Sequence, residues 1–137
     1  MKINKEKTNL LFNKALGEEY YQFLYKRKIV SRSYLEALQK GEYGYLEDNV
    51  LSINGWDYSV RYILGASNEA IYDIIRDNQI YGIPPEEGTI VAILEGDDYL
   101  FLKPNDLCLY FFSRDTEEVV IVCKDYCDLE NIIFKEN

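Results

Sequence analysis

Between Thr89 and Cys123 the chain alternates four apolar runs with three short clusters of turn-forming residues, and this spacing constrains the fold more than any other feature. The runs are Thr89 to Leu94, Tyr99 to Lys103, Leu107 to Phe112 and Val119 to Cys123. The breaks are Glu95 to Asp98, Pro104-Asn105-Asp106 and Arg114 to Glu117. Runs rich in β-branched and aromatic residues, bounded by Gly, Pro, Asn and Asp, read as strands joined by turns. Breaks this short, made of turn formers, join consecutive strands antiparallel as a meander. Thr89 to Leu94 is apolar at nearly every position, as in a strand covered on both faces.

The flanking segments read as helices and one hairpin. Tyr20, Phe23, Leu24 and Arg27 fall at i, i+3, i+4 and i+7, so an apolar stripe faces a core. Gly17 separates this helix from an earlier turn built on Leu10, Leu11 and Phe12. The basic cluster Lys26-Arg27-Lys28 closes the helical pattern, where cations complement the helix dipole, and reads as a cap rather than a binding patch. Ser33-Tyr34-Leu35-Glu36 has the form of a capping box for a second short helix, stopped at Gly41. Asn49 to Ile53 and Tyr58 to Leu64 have strand character and are separated by Asn54-Gly55-Trp56-Asp57. Asn-Gly favours a hairpin because both residues tolerate positive φ. Ser67 is placed to cap a helix with Ile71, Ile74 and Ile75 on one face, ending near Asn78 to Tyr81 ahead of Pro84-Pro85. A last helix groups Leu129, Ile132 and Ile133, capped by Asp125 or Asp128. At 137 residues the chain fits one domain of α+β class, an antiparallel meander with helices packed on it.

Gly96-Asp97-Asp98 is the one tripeptide that suggests catalysis, because RNA-copying polymerases hold metal ions with the same three residues on a hairpin. Here Gly96 supplies a permissive dihedral, and either aspartate can hydrogen-bond the turn backbone. A two-metal site needs further carboxylates from other elements, and no second Asp-rich strand end offers them. The turn reading therefore outweighs the metal reading. The chain has no histidine, which removes the usual general base and the commonest transition-metal ligand. Cys123 and Cys127 lack Cys-x-x-Cys spacing and a second pair, so a zinc site is not expected. With Cys108 they make three thiols without a framework spacing, as suits a reducing cytoplasm. These features point to a protein that is not an enzyme and takes no cofactor or metal.

Fifteen Lys and Arg against 24 Asp and Glu leave a formal charge of −9, which disfavours nucleic acid and permits a basic partner. No apolar run approaches the roughly 20 residues that span a bilayer, and the first ten residues do not read as a signal peptide, so the expected location is the cytoplasm without membrane attachment.

Several stretches taken together resemble the SUKH superfamily of cell-wall-synthesis regulators and bacterial immunity proteins. They are "YILG" ending at Gly65, "NQIYG" ending at Gly82, "IPPEEGTIVAILEGDDYLFL" from Ile83, "LCLYFFSRDTE" from Leu107 and "DLENIIF" from Asp128. Ile83-Pro84, Gly96-Asp97, Leu109-Tyr110-Phe111-Phe112 and Ile132-Ile133-Phe134 take the places of that family's motifs, and the likeness is strongest over residues 58 to 135. The chain departs from the pattern after its first helix, where Ile29-Val30-Ser31 replaces an Asn-Gly-Gly type of turn, and in lacking Trp from the "LYFF" strand. The resemblance implies a binding protein, an immunity protein that occludes a toxin domain, often a nuclease. A regulatory protein-interaction module of the cell-wall type is the alternative it leaves open. A basic toxin suits the acidic chain, because complementary fields raise association rates. The expected contact residues are Glu86, Glu87, Asp97 and Asp98 on neighbouring loops, with Trp56 and Asp57 on the Asn-Gly hairpin.

Overall fold

Asn54 and Gly55 both take left-handed dihedrals, φ 51° and 84°, and reverse the chain between β1 (Gly44–Ile53) and β2 (Trp56–Ile63). This is the twist that a two-residue hairpin requires. The computed structural model describes residues 17–66 and 73–135. Trp56 and Asp57 belong to the first turn of pairing in β2, opposite Ile53 and Ser52, rather than to the reversal itself.

The expected meander is present. β3 (Thr89–Leu94), β4 (Tyr99–Leu102), β5 (Leu109–Phe112) and β6 (Val119–Cys123) pair antiparallel in sequence, and β3 also pairs with β2. A further strand, β7 (Ile133–Lys135), lies against β1. The seven strands run in the order β6-β5-β4-β3-β2-β1-β7. With α1 (Glu18–Lys26), α2 (Arg32–Lys40), α3 (Ile74–Tyr81) and the single turn α4 (Leu129–Ile132), the chain forms a single-domain α+β fold.

One face of the sheet encloses the core. Leu100, Leu102 and Leu109 are fully buried there with Phe111, each such side chain contributing roughly 1.5–3 kcal/mol. The Tyr58 ring on β2 meets the Phe111 ring on β5 at 4.7 Å, although β3 and β4 lie between the two strands. The sheet therefore curls around this face. All six residues of β3 are buried, as its apolar run requires.

Phenol groups tie α1, α2 and the segment before β1 to the cap of α3 and the chain just after β2. Tyr20 donates to Asp73 (2.5 Å), Tyr34 to the Leu64 carbonyl (2.6 Å) and Tyr43 to the Ala66 carbonyl (3.0 Å). The Tyr43 ring lies so close over Gly65 that a Cβ at that position would stand 2.0 Å from a ring atom. From α3, Asn78 accepts from the Ile90 N–H (2.8 Å) and donates to the Ile90 carbonyl (3.1 Å). One buried amide thus completes the ladder of β3 at a position that β2 does not reach.

Several local expectations are corrected. Ser31, not Ser33, caps α2. Its backbone is extended and its Oγ accepts from the Tyr34 N–H (3.4 Å), whereas the Ser33 hydroxyl is spent on Asp125 (2.5 Å). Gly41 ends that helix at φ 72°, as expected. α3 begins at Ile74 under an Asp73 cap that accepts from the Arg76 N–H, rather than at Ser67. Ser67 and Ile71 fall outside the described residues, as do Leu10, Leu11 and Phe12. Ile133 leaves the last helix after one turn, because pairing with Leu51 of β1 buries it to 7% exposure. Asp125 caps the 3-10 turn Tyr126–Asp128 instead of α4. Among the described residues no helix is long and apolar enough to cross a membrane.

Candidate functional site

The face of β4, β5 and β6 that points away from the core is apolar and largely aromatic. The register sets Tyr99 beside Phe112 and Phe112 beside Val119, then Phe101 beside Tyr110 and Tyr110 beside Ile121. These six alternate along their strands with core residues such as Leu100 and Phe111 and so share the other face. Tyr99 stacks on Phe112 with ring centroids 4.9 Å apart, Phe101 lies 5.6 Å from Tyr110, and Tyr81 at the end of α3 meets Tyr99 edge-on at 5.9 Å. Aromatic cross-strand pairs of this kind each contribute a few tenths to 1 kcal/mol to the sheet. Exposure rises across the surface, from Phe101 and Tyr110, both buried, to Val119 at 48% and Ile121 at 60%.

Charged loops bound this face at both ends. At the β4–β5 end, Lys103 places its ammonium 4.1 Å over the Tyr110 ring, and the Tyr110 hydroxyl donates to Asp106 (2.6 Å). That bond holds the Asp106 carboxyl below its usual range and pushes the Tyr110 phenol up to about 12. Glu86 and Glu87 stand exposed at this same end, in the loop that leads into β3. Two bonds from Arg27 fix that loop, to the carbonyls of Gly88 (2.8 Å) and Ile83 (2.9 Å). The guanidinium is 8% exposed and lies 4.7 Å from the Phe23 ring centroid; burial lowers its pKa, and the charge of Glu86 acts against that shift. Arg27 is the C-cap residue of α1, as the basic cluster at the helix end implies, but its guanidinium serves as a buried clamp on this loop.

The opposite end carries the Gly96-Asp97-Asp98 turn. Gly96 and Asp97 have φ of 83° and 65°, and the Leu94 N–H donates to the Asp98 carbonyl (2.9 Å) to close the reversal. Asp97 accepts from the Arg114 guanidinium (2.8 Å) and the Tyr81 hydroxyl (3.2 Å), while Asp98 accepts from the Arg114 backbone N–H (2.7 Å). The two carboxylates bind one arginine of their own chain and lock the β3–β4 turn to the β5–β6 turn. Burial first, and then Asp97, push the Tyr81 phenol up to about 12. Exposed Glu95, Asp115, Glu117 and Glu118 add to the acidic charge at this end.

The six residues expected to make contact are therefore not one cluster. Trp56, Asp57, Asp97 and Asp98 gather at one end of the sheet, where β2 touches the Glu95–Asp97 turn. Glu86 and Glu87 precede β3 and Asp97 and Asp98 follow it, so six residues of strand, about 17 Å from first to last, separate the two pairs. The charge of Glu87 still reaches far enough to add to the burial that raises Tyr99. Trp56, 72% exposed, shares strand parity with Tyr58 and Val60 and so projects on the core side of the sheet, away from Tyr99. The aromatic face itself was missed. Its sequence signature is the alternation Tyr99-Leu100-Phe101-Leu102, with aromatic residues outward and aliphatic residues inward.

Among the described residues, no three His, Cys, Asp or Glu side chains converge where they could hold a metal ion. Burial is the leading cause that raises all three thiols, Cys123 to about 11, which suppresses the thiolate needed for nucleophilic attack. Comparison with protein-family models, curated proteins and solved structures finds no match to this chain.

Proposed function

We propose that this chain is a non-enzymatic, cytoplasmic binding protein, an immunity protein that neutralises a basic toxin domain by covering it. The observation that carries this reading is the apolar face of β4, β5 and β6 with acidic loops at both ends. An apolar, aromatic centre within a charged rim is the anatomy of a protein interface, and the rim's acidic excess over Lys103 and the Asp97-paired Arg114 favours a basic partner. The resemblance to the SUKH superfamily adds the toxin context. Raised thiols and two aspartates occupied by Arg114 support a role without catalysis.

The test is co-purification with the product of the adjacent gene, followed by surface plasmon resonance. Glu86→Lys with Glu87→Lys should slow association about tenfold at low salt, and the difference should vanish near 1 M salt, where screening extends only about 3 Å. Phe112→Ala or Ile121→Ala should instead speed dissociation at every salt concentration. Trp56→Ala should do the same only if the partner also covers the Asn-Gly hairpin. Absence of a complex with any adjacent product, together with capture of one of the cell's own envelope-synthesis proteins, would favour the regulatory module.

A further inference from the structure

Strand β6 ends the sheet, and among the described residues it has β5 as its only neighbour. The Ser113 N–H donates to the Glu118 carbonyl (3.1 Å), which fixes that carbonyl toward β5. Backbone groups alternate sides along a strand, and the register runs on through Phe112↔Val119, Phe111↔Val120 and Tyr110↔Ile121. Val120 therefore faces β5, and Val119 and Ile121 direct their N–H and C=O groups outward. Beyond Ile121 the register shifts, so these two residues are the regular part of the open edge.

Open edges are ordinarily blunted by a lysine, a proline or an inward charge. Val119 to Cys123 has none of these; its one register shift lies beyond Ile121, and the two outward-bonding residues before it carry exposed β-branched side chains. The flanks are asymmetric in charge, with Glu117 and Glu118 before the strand and Lys124 after it, while the carboxylate of the next residue, Asp125, is turned back onto the Ser33 hydroxyl and the Cys127 N–H. Antiparallel self-pairing brings the acidic flank of each copy toward the lysine of the other, whereas parallel pairing stacks acid on acid.

We propose that two copies of this chain associate through antiparallel pairing of their β6 edges about a two-fold axis at Val120. Val119 of each copy then stands opposite Ile121 of the second copy, and both outward residues exchange their N–H···O bonds. The exposed faces of Val119 and Ile121 cover one another, and the two aromatic surfaces become neighbours on one continuous sheet. This inference rests on edge geometry and does not depend on the toxin reading. So short a contact falls well under the roughly 1,000 Å² of a stable interface, so the dimer is weak and concentration-dependent.

Sedimentation equilibrium from about 10 μM to about 1 mM should follow a monomer–dimer transition. Amide hydrogen exchange by NMR over the same range should slow at Val119 and Ile121 while the Val120 amide, already bonded to β5, stays unchanged. Ile121→Pro removes an outward N–H without breaking the β5 ladder, so it should abolish the dimer. Ile121→Lys, at an exposed side chain, serves if the proline variant fails to fold. A chain that stays monomeric throughout, as it would if the edge receives only a different protein's strand, overturns the proposal. So does a dimer that persists in both variants, or one that protects Tyr99 and Phe112 and leaves Val119 and Ile121 unchanged.

Discussion

The two acidic loops at the ends of β3 use their carboxylates in opposite ways. Asp97 and Asp98 build their turn, because between them they accept three hydrogen bonds from Arg114 and Tyr81. Glu86 and Glu87 build nothing comparable. Their loop is held from below by Arg27 through the carbonyls of Ile83 and Gly88, which leaves both carboxylates exposed to solvent. Two pairs of acids that look alike in sequence thus differ in what they are free to do. The aspartates are committed to the fold, and the glutamates remain available to a partner.

Removing the clamp should have the largest effect. Arg27→Met leaves one buried and one part-buried carbonyl without donors and should cost about 2–4 kcal/mol in urea unfolding, with new proteolytic sensitivity between Ile83 and Gly88. Intact stability in this variant would mean that the glutamate loop holds itself. A third carboxylate provides an intermediate case. Burial and the neighbouring Asp73 raise Asp77 to about 6. The folded state therefore holds this proton more tightly than the unfolded chain, whose carboxyl titrates near 3.9. The resulting stability is full below about pH 4 and is lost as the pH rises through about 6. Asp77→Asn should raise stability at pH 7 by about 1 kcal/mol, allowing for solvent screening, and change little at pH 4. An equal gain at both pH values would remove titration as the cause.

Asp97→Asn comes next. The pair with Arg114 is 57% and 66% exposed, so its loss should cost less than about 1 kcal/mol, and the cost should shrink in high salt. The smallest effect is expected for Glu86→Gln with Glu87→Gln, which should leave the thermal midpoint within error of the parent. A clear destabilisation there would place these glutamates among the structural acids and undo the contrast.

Much of this architecture is legible from local pattern. The meander follows from four apolar runs and three turn clusters, and the Asn54-Gly55 reversal and the Gly41 helix stop follow from backbone freedom at single residues. What escaped depends on residues far apart in the chain. Ser31 and Ser33 are equally good caps by sequence, and Asp125, 92 positions from Ser33, decides between them. Arg27 sits on an apolar stripe for no local reason; its partners lie 56 and 61 residues away. Leu129, Ile132 and Ile133 have helical spacing, but a single turn followed by a strand satisfies the same three positions, and β1 selects the strand. The separation of Glu86 from Asp97 was within reach, since the length of Thr89 to Leu94 already sets it; closeness in sequence was mistaken for closeness in space. The aromatic face was hidden because alternating Tyr and Phe read as buried strand until the register fixes which side each residue takes.

Trp56 has a consequence for how this molecule can be watched. It is the chain's one tryptophan, and the indole already stands mostly in water in the folded state. Its native emission should lie close to that of the denatured chain, so a fluorescence melt would register almost nothing while the core came apart. The same side chain is a sensitive reporter of anything that settles on the Asn-Gly hairpin, because drying the indole moves its emission to shorter wavelength. The protein thus carries a built-in optical probe for docking at that end of the sheet, one largely blind to its own unfolding.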